Sequence, residues 1–177
     1  RDYPGQNVVI PSSITVNGVA YTVTSISEHS FFLCRYIVSI EIPFTIESLK
    51  WKCFGEMASL ETIIIPENSR LTSIYQYVVH YCYKLKNFFI PRSVITLHPL
   101  SFKFTNTTIW YCGNRRFDVD LSNVYNISIH VPTNYKYNTF GSLPVIKDFP
   151  YPLHCVTSRI AKSFSFSIFL FLLFLST

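Results

Sequence analysis

Ile63-Ile64-Ile65-Pro66 is a short apolar run closed by proline, and the same phrase recurs along the chain. The other copies are Val8-Val9-Ile10-Pro11, Ile40-Glu41-Ile42-Pro43 and Phe88-Phe89-Ile90-Pro91. Their prolines stand at positions 11, 43, 66 and 91, which gives steps of 32, 23 and 25 residues. A weaker fifth copy ends at Val131-Pro132. Because the spacing is nearly regular, the sequence predicts a protein built from stacked repeats.

Further positions recur in register after each Ile-Pro phrase. A polar-apolar anchor stands at Thr24-Ser25-Ile26 and again at Thr72-Ser73-Ile74, and Cys34 and Cys82 share a later position. We predict a short strand that ends at each proline, because proline cannot donate to a sheet ladder. The strands run parallel, turns or short helices form the opposite wall, and equivalent apolar side chains stack into one core.

The long first step between prolines contains an insertion. It carries Asn17-Gly18 between alternating apolar residues, which is typical of a β-hairpin turn. Removing the insertion brings the first step close to the others. We expect the hairpin to cover the exposed end of the stack.

The composition excludes several classes of protein. Hydrophobic residues make up 49% of the 177 residues and charged residues only 14%, so the chain is too apolar to be disordered. Alanine is scarce and aromatic residues reach 17%, which argues against a coiled coil or a helical bundle. The net charge is +5, but the basic residues are scattered, so we expect no nucleic-acid partner.

The sequence carries no pattern typical of an enzyme or of a metal centre. It has no Gly-x-Ser-x-Gly elbow, no Gly-rich phosphate loop and no Cys-x-x-Cys pair. Its histidines lack the spacing of a metalloprotease helix. We therefore predict a non-catalytic protein that binds no cofactor and no metal ion.

The repeat resembles the BspA-type leucine-rich repeats of bacterial and parasitic-protist surface proteins. The stretch Ile10-Pro11-Ser12-Ser13-Ile14, followed by Ser30-Phe31 and Cys34, carries this resemblance, and Ile90-Pro91-Arg92-Ser93-Val94 repeats its start. The resemblance extends over about residues 8 to 150. It implies a leucine-rich-repeat solenoid of the α/β class, with short parallel strands and with turns or short helices on the opposite wall.

The predicted organisation has five segments, and residues 109–126 fit the repeat poorly. The segments are an N-terminal part with the hairpin insertion at 1–22, leucine-rich repeats at 23–131, a C-terminal cap unit at 132–150, a linker at 151–163 and a hydrophobic tail at 164–177.

The resemblance also implies a function. It suggests a cell-surface adhesion or protein-binding module whose partners are extracellular-matrix, serum or cell-surface proteins. On the strand face, alternation points every second side chain outward. The predicted outward positions available for binding are Glu41, Glu61, Lys86, Phe89 and Tyr111. The alternative is that these side chains only cover the wall.

The C-terminal tail favours association with a membrane. Its apolar run reads FSFSIFLFLLFL at 164–175 and is either a short spanning helix or a cleaved lipid-anchor signal. Arg159 and Lys162 precede the run, and the positive-inside rule would place the repeats in the cytosol. An intracellular tail-anchored scaffold is therefore the alternative. We expect the cell surface because of the family resemblance.

Two further features concern covalent modification. Asn106 and Asn126 begin glycosylation sequons. Cys112 and Cys155 lie outside the regular units and are candidates for a disulfide or for two unpaired thiols. The chain begins at Arg1 without a methionine, so we expect a truncated start.

Overall fold

A computed structural model describes residues 6–149 of the chain. The predicted linker at 151–163, the tail at 164–177 and Cys155 lie outside these residues. In the described part, no helix is long and apolar enough to cross a membrane. The strands in chain order are β1 (Asn7–Val9), β2 (Ser13–Val16), β3 (Val19–Thr22), β4 (Ser25–Ile26), β5 (Ser39–Glu41), β6 (Ser48–Leu49), β7 (Thr62–Ile64), β8 (Ser73–Ile74), β9 (Asn87–Ile90), β10 (Thr96–Leu97), β11 (Thr108–Tyr111), β12 (Ser128–Pro132), β13 (Thr139–Phe140), β14 (Leu143–Pro144) and β15 (Ile146–Phe149).

The predicted parallel strands form one side of the solenoid, which we call the strand wall. It runs in the order β1, β5, β7 and then β9, β11, β12, β15, with β7 next to β9 and every ladder parallel. The register aligns Ile40 with Ile63, and it aligns Phe88 with Ile109. The Ile-Pro phrases therefore lie side by side, as the sequence predicts.

A second parallel sheet forms the next side of the solenoid, which each coil enters after it leaves the strand wall. It contains β4, β6, β8 and β10, which are two-residue strands paired in that order. In each strand the second residue is buried and the first is more exposed. The buried residues are Ile26, Leu49, Ile74 and Leu97.

The remaining side of each coil is the turn wall, formed by residues 28–36, 51–59, 76–84 and 99–104. Its backbone amides alternate between two kinds of partner. The amide of Phe32 donates to the carbonyl of His29 in the same coil, at 3.1 Å, whereas the amide of Phe31 donates to Cys53 in the next coil, at 2.9 Å. An α-helix would need every amide to bond within its own segment. Turns thus form this wall, and residues 6–149 contain no helix.

Several residues of the turn wall have left-handed backbone conformations. They include Lys52 (φ 49°), Glu56 (φ 58°), Tyr77 (φ 60°) and Tyr81 (φ 59°), at two equivalent positions of neighbouring coils. Residues with a Cβ rarely adopt this region. The hydrogen bonds between coils hold them there, and they point alternate amides toward the next coil.

Equivalent side chains stack into columns along the interior. One column contains buried Ile37, Leu60 and Leu85, which occupy the last apolar position before each strand. The repeated cysteine position is also buried. Its members are Cys34, Met57 and Cys82. Each coil alone is too thin to bury such residues, so the columns hold neighbouring coils together through the hydrophobic effect.

The insertion near the N-terminus is a β-hairpin. β2 and β3 pair antiparallel, and Asn17 and Gly18 form the turn with φ of 51° and 79°. Asparagine and glycine tolerate this conformation better than other residues. Every residue of both strands is exposed. The expectation that the hairpin covers the end of the stack is therefore wrong, because its side chains are not buried there.

The C-terminal part contains one more coil, which lies within the repeats predicted at 23–131. β11 lies between β9 and β12 and belongs to the region that fits the repeat poorly. Beyond it, Phe117, Tyr135 and Phe140 are buried, and β13 and β14 form a small antiparallel hairpin. β15 then adds a last parallel strand next to β12. The chain thus continues the strand wall to the end of the described residues.

Candidate binding surface on the strand wall

Four of the five residues predicted to bind a partner reach the surface of the strand wall. Glu61 and Lys86 are exposed, while Glu41 and Phe89 are half-buried. Glu61 directly precedes β7 and Lys86 directly precedes β9. They occupy equivalent positions on neighbouring coils, so an acid and a base lie side by side at one edge of the wall.

Tyr111 is a correction to the prediction. The ladder aligns it with Ile90, so it points into the core, and its side chain is fully buried. Its hydroxyl accepts a hydrogen bond from the amide of Arg115 at 3.0 Å, and its ring contacts Phe117 and Phe140. Burial raises the pKa of Tyr111, and the bond from Arg115 opposes that shift. Tyr111 anchors the C-terminal part and is not available to a partner.

The outward position of β11 belongs to Trp110. Its ring stacks against Phe89 on one side, with centroids 6.1 Å apart, and against His130 on the other, at 4.4 Å. The imidazole Nδ1 of His130 lies 2.7 Å from a carboxylate oxygen of Asp148. We call Phe89, Trp110, His130 and Asp148 the ring row. It crosses neighbouring coils of the strand wall.

A polar row runs parallel to the ring row, at the start of the same strands. The indole nitrogen of Trp110 donates to the side-chain oxygen of Asn87 at 2.9 Å. In the adjacent pair of strands, the hydroxyl of Ser128 donates to that of Thr108 at 3.3 Å. The bond to Asn87 fixes the orientation of the indole, which reduces the entropy that the side chain would lose on binding a partner.

The sequence prediction did not include Trp110 and His130. The signal that could have found them is the alternation in Thr108-Ile109-Trp110-Tyr111, which repeats the pattern of Asn87-Phe88-Phe89-Ile90 without the final proline. The outward position of His130 follows in the same way from the weaker fifth phrase, because β12 pairs with β11 so that His130 lies beside Trp110.

The surface offers aromatic contact area together with polar groups. The rings of the ring row stack on one another, with the amide of Asn87 and the carboxylate of Asp148 beside them. Aromatic side chains of this kind supply contact area at a low entropy cost. No group of three or more His, Cys, Asp or Glu side chains that could hold a metal ion occurs within residues 6–149.

The predicted modification sites lie in different surroundings. Asn106 and Asn126 are both exposed. Glycosylation of either residue stays a prediction. Cys112 is buried directly after β11. Its pairing with Cys155 also stays a prediction, because Cys155 is outside the described residues.

Solved leucine-rich-repeat structures share this fold. A leucine-rich repeat protein from Bacteroides ovatus is 23% identical, with a TM-score of 0.53, over 73% of this chain and 30% of that one. A leucine rich cell surface protein from Faecalibacterium prausnitzii is 18% identical, with a TM-score of 0.51, over 75% and 38%. The T. pallidum leucine-rich-repeat protein is 17% identical, with a TM-score of 0.51, over 79% and 71%.

The chain thus spans well under half the length of the first and second of these structures. No curated protein is significantly similar to it. Residues 6–118, more than half of the chain, match the family described as the BspA type leucine rich repeat region, in six copies. Together with the stacked Ile-Pro strands, this match confirms the resemblance: the chain belongs to the BspA-type leucine-rich-repeat family.

Proposed function

We propose that the chain is a non-catalytic protein-binding module of the cell surface and that it holds its partner on the strand wall. The observation that carries the proposal is the ring row. Stacked rings and fixed polar groups form one continuous outward strip across several coils. A rigid strip of this kind favours a macromolecular partner, because a small molecule would touch only one or two of its coils.

The class of partner follows from family membership. We infer extracellular-matrix, serum or cell-surface proteins, held by Phe89 and Trp110 at the centre and by Glu41, Glu61 and Lys86 around them. A solved protein of the same fold is described as a leucine rich cell surface protein, which supports this placement. The apolar tail at 164–177 is the proposed membrane attachment.

Alanine variants on two sides of the solenoid test the binding surface. The 177-residue chain is applied to immobilised matrix and serum proteins, and any protein that binds is titrated with Phe89→Ala, Trp110→Ala and the control Tyr75→Ala. Tyr75 is an exposed aromatic residue that directly follows β8 of the second sheet. We expect each strand-wall variant to weaken binding about tenfold or more, as truncation of an aromatic anchor does. Equal losses in all three variants would contradict the proposal.

The location is tested on intact cells that make the full protein. A protease added outside removes the repeats if they face the outside. Complete protection, with cleavage only after the cells are opened, would favour the alternative of an intracellular tail-anchored scaffold. Arg159 and Lys162, which precede the apolar run, are the observation behind that alternative.

A further inference from the structure

The turn wall carries a groove of about 360 Å³ on a side of the solenoid away from the ring row. Three coils line it, each with two residues. Leu33, Glu56 and Tyr81 form one row of the lining, and Arg35, Ala58 and Tyr83 form the other. We call this site the turn-wall groove. It is separate from the surface proposed above, because none of these residues lies in a strand.

The groove exists because Ala58 is short. Ala58 stands between Arg35 and Tyr83 in the row of equivalent positions, and those two residues carry long side chains. Neighbouring coils are about 4.8 Å apart, so the gap above Ala58 is about two coil spacings wide. That width admits one long side chain of a partner.

Three residues of the lining share one backbone conformation. Leu33, Glu56 and Tyr81 have φ of 63°, 58° and 59°, which is the left-handed region. Each donates its amide to the next coil, at 3.1, 2.7 and 3.1 Å. These bonds hold the backbone of the three residues in place, so their side chains start from fixed points along the groove.

Cations cover aromatic rings elsewhere on the same side of the molecule. The ammonium of Lys52 lies 5.3 Å from the ring centroid of Phe32 and 5.7 Å from that of Trp51. The ammonium of Lys103 lies 4.9 Å from the ring of Phe104. Cations are attracted to ring faces at these distances. The chain therefore uses its own lysines to cover these rings.

The lining contains two tyrosine rings, one acid and one base, and the base, Arg35, does not lie over either ring. The ring centroids of Tyr81 and Tyr83 lie 5.7 Å apart, with the ring planes tilted by 37°. The ring of Tyr81 also stacks on that of Phe104, with centroids 5.3 Å apart. Among the described residues, no lysine or arginine lies over Tyr81 or Tyr83. Within the same part of the chain, Glu56 forms no ion pair. A carboxylate and two rings thus face one gap.

We propose that the turn-wall groove binds a lysine or arginine side chain presented by a protein partner. The aliphatic stem lies over Ala58 and against Leu33, the charge approaches Glu56, and the tyrosine rings cover it. Arg35 at the far end of the groove attracts a carboxylate that neighbours the basic residue in the partner. The partner segment is therefore basic at the centre and acidic at one side.

Peptide titration tests this proposal on the 177-residue chain at low salt. The probes are a short glycine–serine peptide with one central lysine and the same peptide with norleucine, which keeps the stem without the charge. Amide chemical shifts of residues 33–35, 56–58 and 81–83 report binding. We expect the lysine peptide to shift these signals and the norleucine peptide to bind about fivefold more weakly or not at all.

Matched variants assign the effect to the groove. Glu56→Gln keeps the shape of the side chain and is expected to lose the preference for lysine, whereas Glu61→Gln on the strand wall keeps it. Tyr83→Leu weakens lysine binding, whereas Tyr36→Leu, which changes an exposed tyrosine outside the groove, does not. Unchanged circular dichroism spectra confirm that each variant folds.

Three results would overturn the proposal: equal binding of both peptides, an unchanged preference in Glu56→Gln, or tighter binding of a glutamate peptide through Arg35. The outcome is independent of the strand wall. Phe89→Ala and Trp110→Ala leave binding of the lysine peptide unchanged, so failure of the proposed function and failure of this site give different patterns.

Discussion

Tyr111 lies beside Ile90 in the ladder between β11 and β9 and points with it into the core. Tyr111 is larger than the isoleucine beside it and ends in a hydroxyl. Its ring contacts Phe117 and Phe140, and its hydroxyl accepts a hydrogen bond from the amide of Arg115. A residue of the repeat therefore also fixes the part of the chain that follows the regular units.

Gly113 makes this arrangement possible, and Gly113→Ala is expected to destabilise the protein. A Cβ at this position would overlap the hydroxyl and the ring of Tyr111. We expect a loss of about 1–3 kcal/mol in the free energy of unfolding, which is typical of an overpacked core. Urea denaturation measures it.

The control for this prediction is the same change in a Tyr111→Phe background. Removing the hydroxyl removes the shortest of the contacts, so the two changes together should cost less than the sum of their separate costs. Strict additivity would show that the tyrosine is not the group that the added methyl group meets.

His80 should make the stability of the protein depend on pH. Burial lowers the pKa of His80 below its ordinary value of 6.5, and the positive charge of Lys52 lowers it further. The unfolded chain then takes up a proton near pH 6.5, whereas the folded protein does so only at lower pH. Stability is complete above pH 6.5 and falls as the pH drops from there toward the lower, folded value.

Urea midpoints between neutral and mildly acidic pH measure this effect. His80→Phe is expected to flatten the pH dependence, while His98→Gln, a matched change of a half-buried histidine, is expected to keep it. The same slope in the wild type and in His80→Phe would assign the pH dependence to other groups.

Cys82 should be inert toward alkylation in the folded protein. Burial raises the pKa of Cys82 to about 12, and the thiol donates to the carbonyl of Phe54 at 2.9 Å. Burial raises the pKa of Cys53 as well. Only the thiolate reacts, so iodoacetamide at mildly alkaline pH should leave both cysteines unmodified until urea is added. Mass spectrometry of the peptides gives the result. Rapid modification of the native chain would contradict the burial of either residue.

Asn87 should control the orientation of Trp110. Asn87→Ala removes the acceptor of the indole N–H, and we expect a stability loss of about 0.5–1.5 kcal/mol. We also expect a larger loss of partner binding than for Thr62→Ala. Thr62 occupies in β7 the position that Asn87 occupies in β9. Unfolding followed by intrinsic fluorescence measures the stability loss, and the binding assay above measures the binding loss. Equal binding losses would show that the indole needs no fixed orientation.

Much of the fold follows from short phrases of the sequence. The Ile-Pro phrases predict the parallel strands because proline ends a strand and because equivalent apolar residues must stack. The prediction that Tyr111 points outward fails because Cys112 stands where the phrase has proline: Ile109-Trp110-Tyr111 repeats the register of Phe88-Phe89-Ile90, so Tyr111 points inward. Trp110 takes the outward position, and without the proline no strong signal marks it or the ring row.

The turn wall could not be predicted in detail for a different reason. Its left-handed positions carry Lys52, Glu56, Tyr77 and Tyr81 rather than glycine or asparagine, so no local signal marks them. Hydrogen bonds to the next coil impose this conformation, and those bonds depend on stacking. A property of the assembled coils cannot be read from one repeat.

The alternating amides of the turn wall also bear on mechanical strength. Each coil is tied to the next by backbone bonds on the turn wall as well as in the two sheets. A pull along the stacking axis therefore loads all three sides at once. A pull on one end of the chain instead ruptures the bonds of the outermost coil first, so the molecule yields in successive steps rather than in one break.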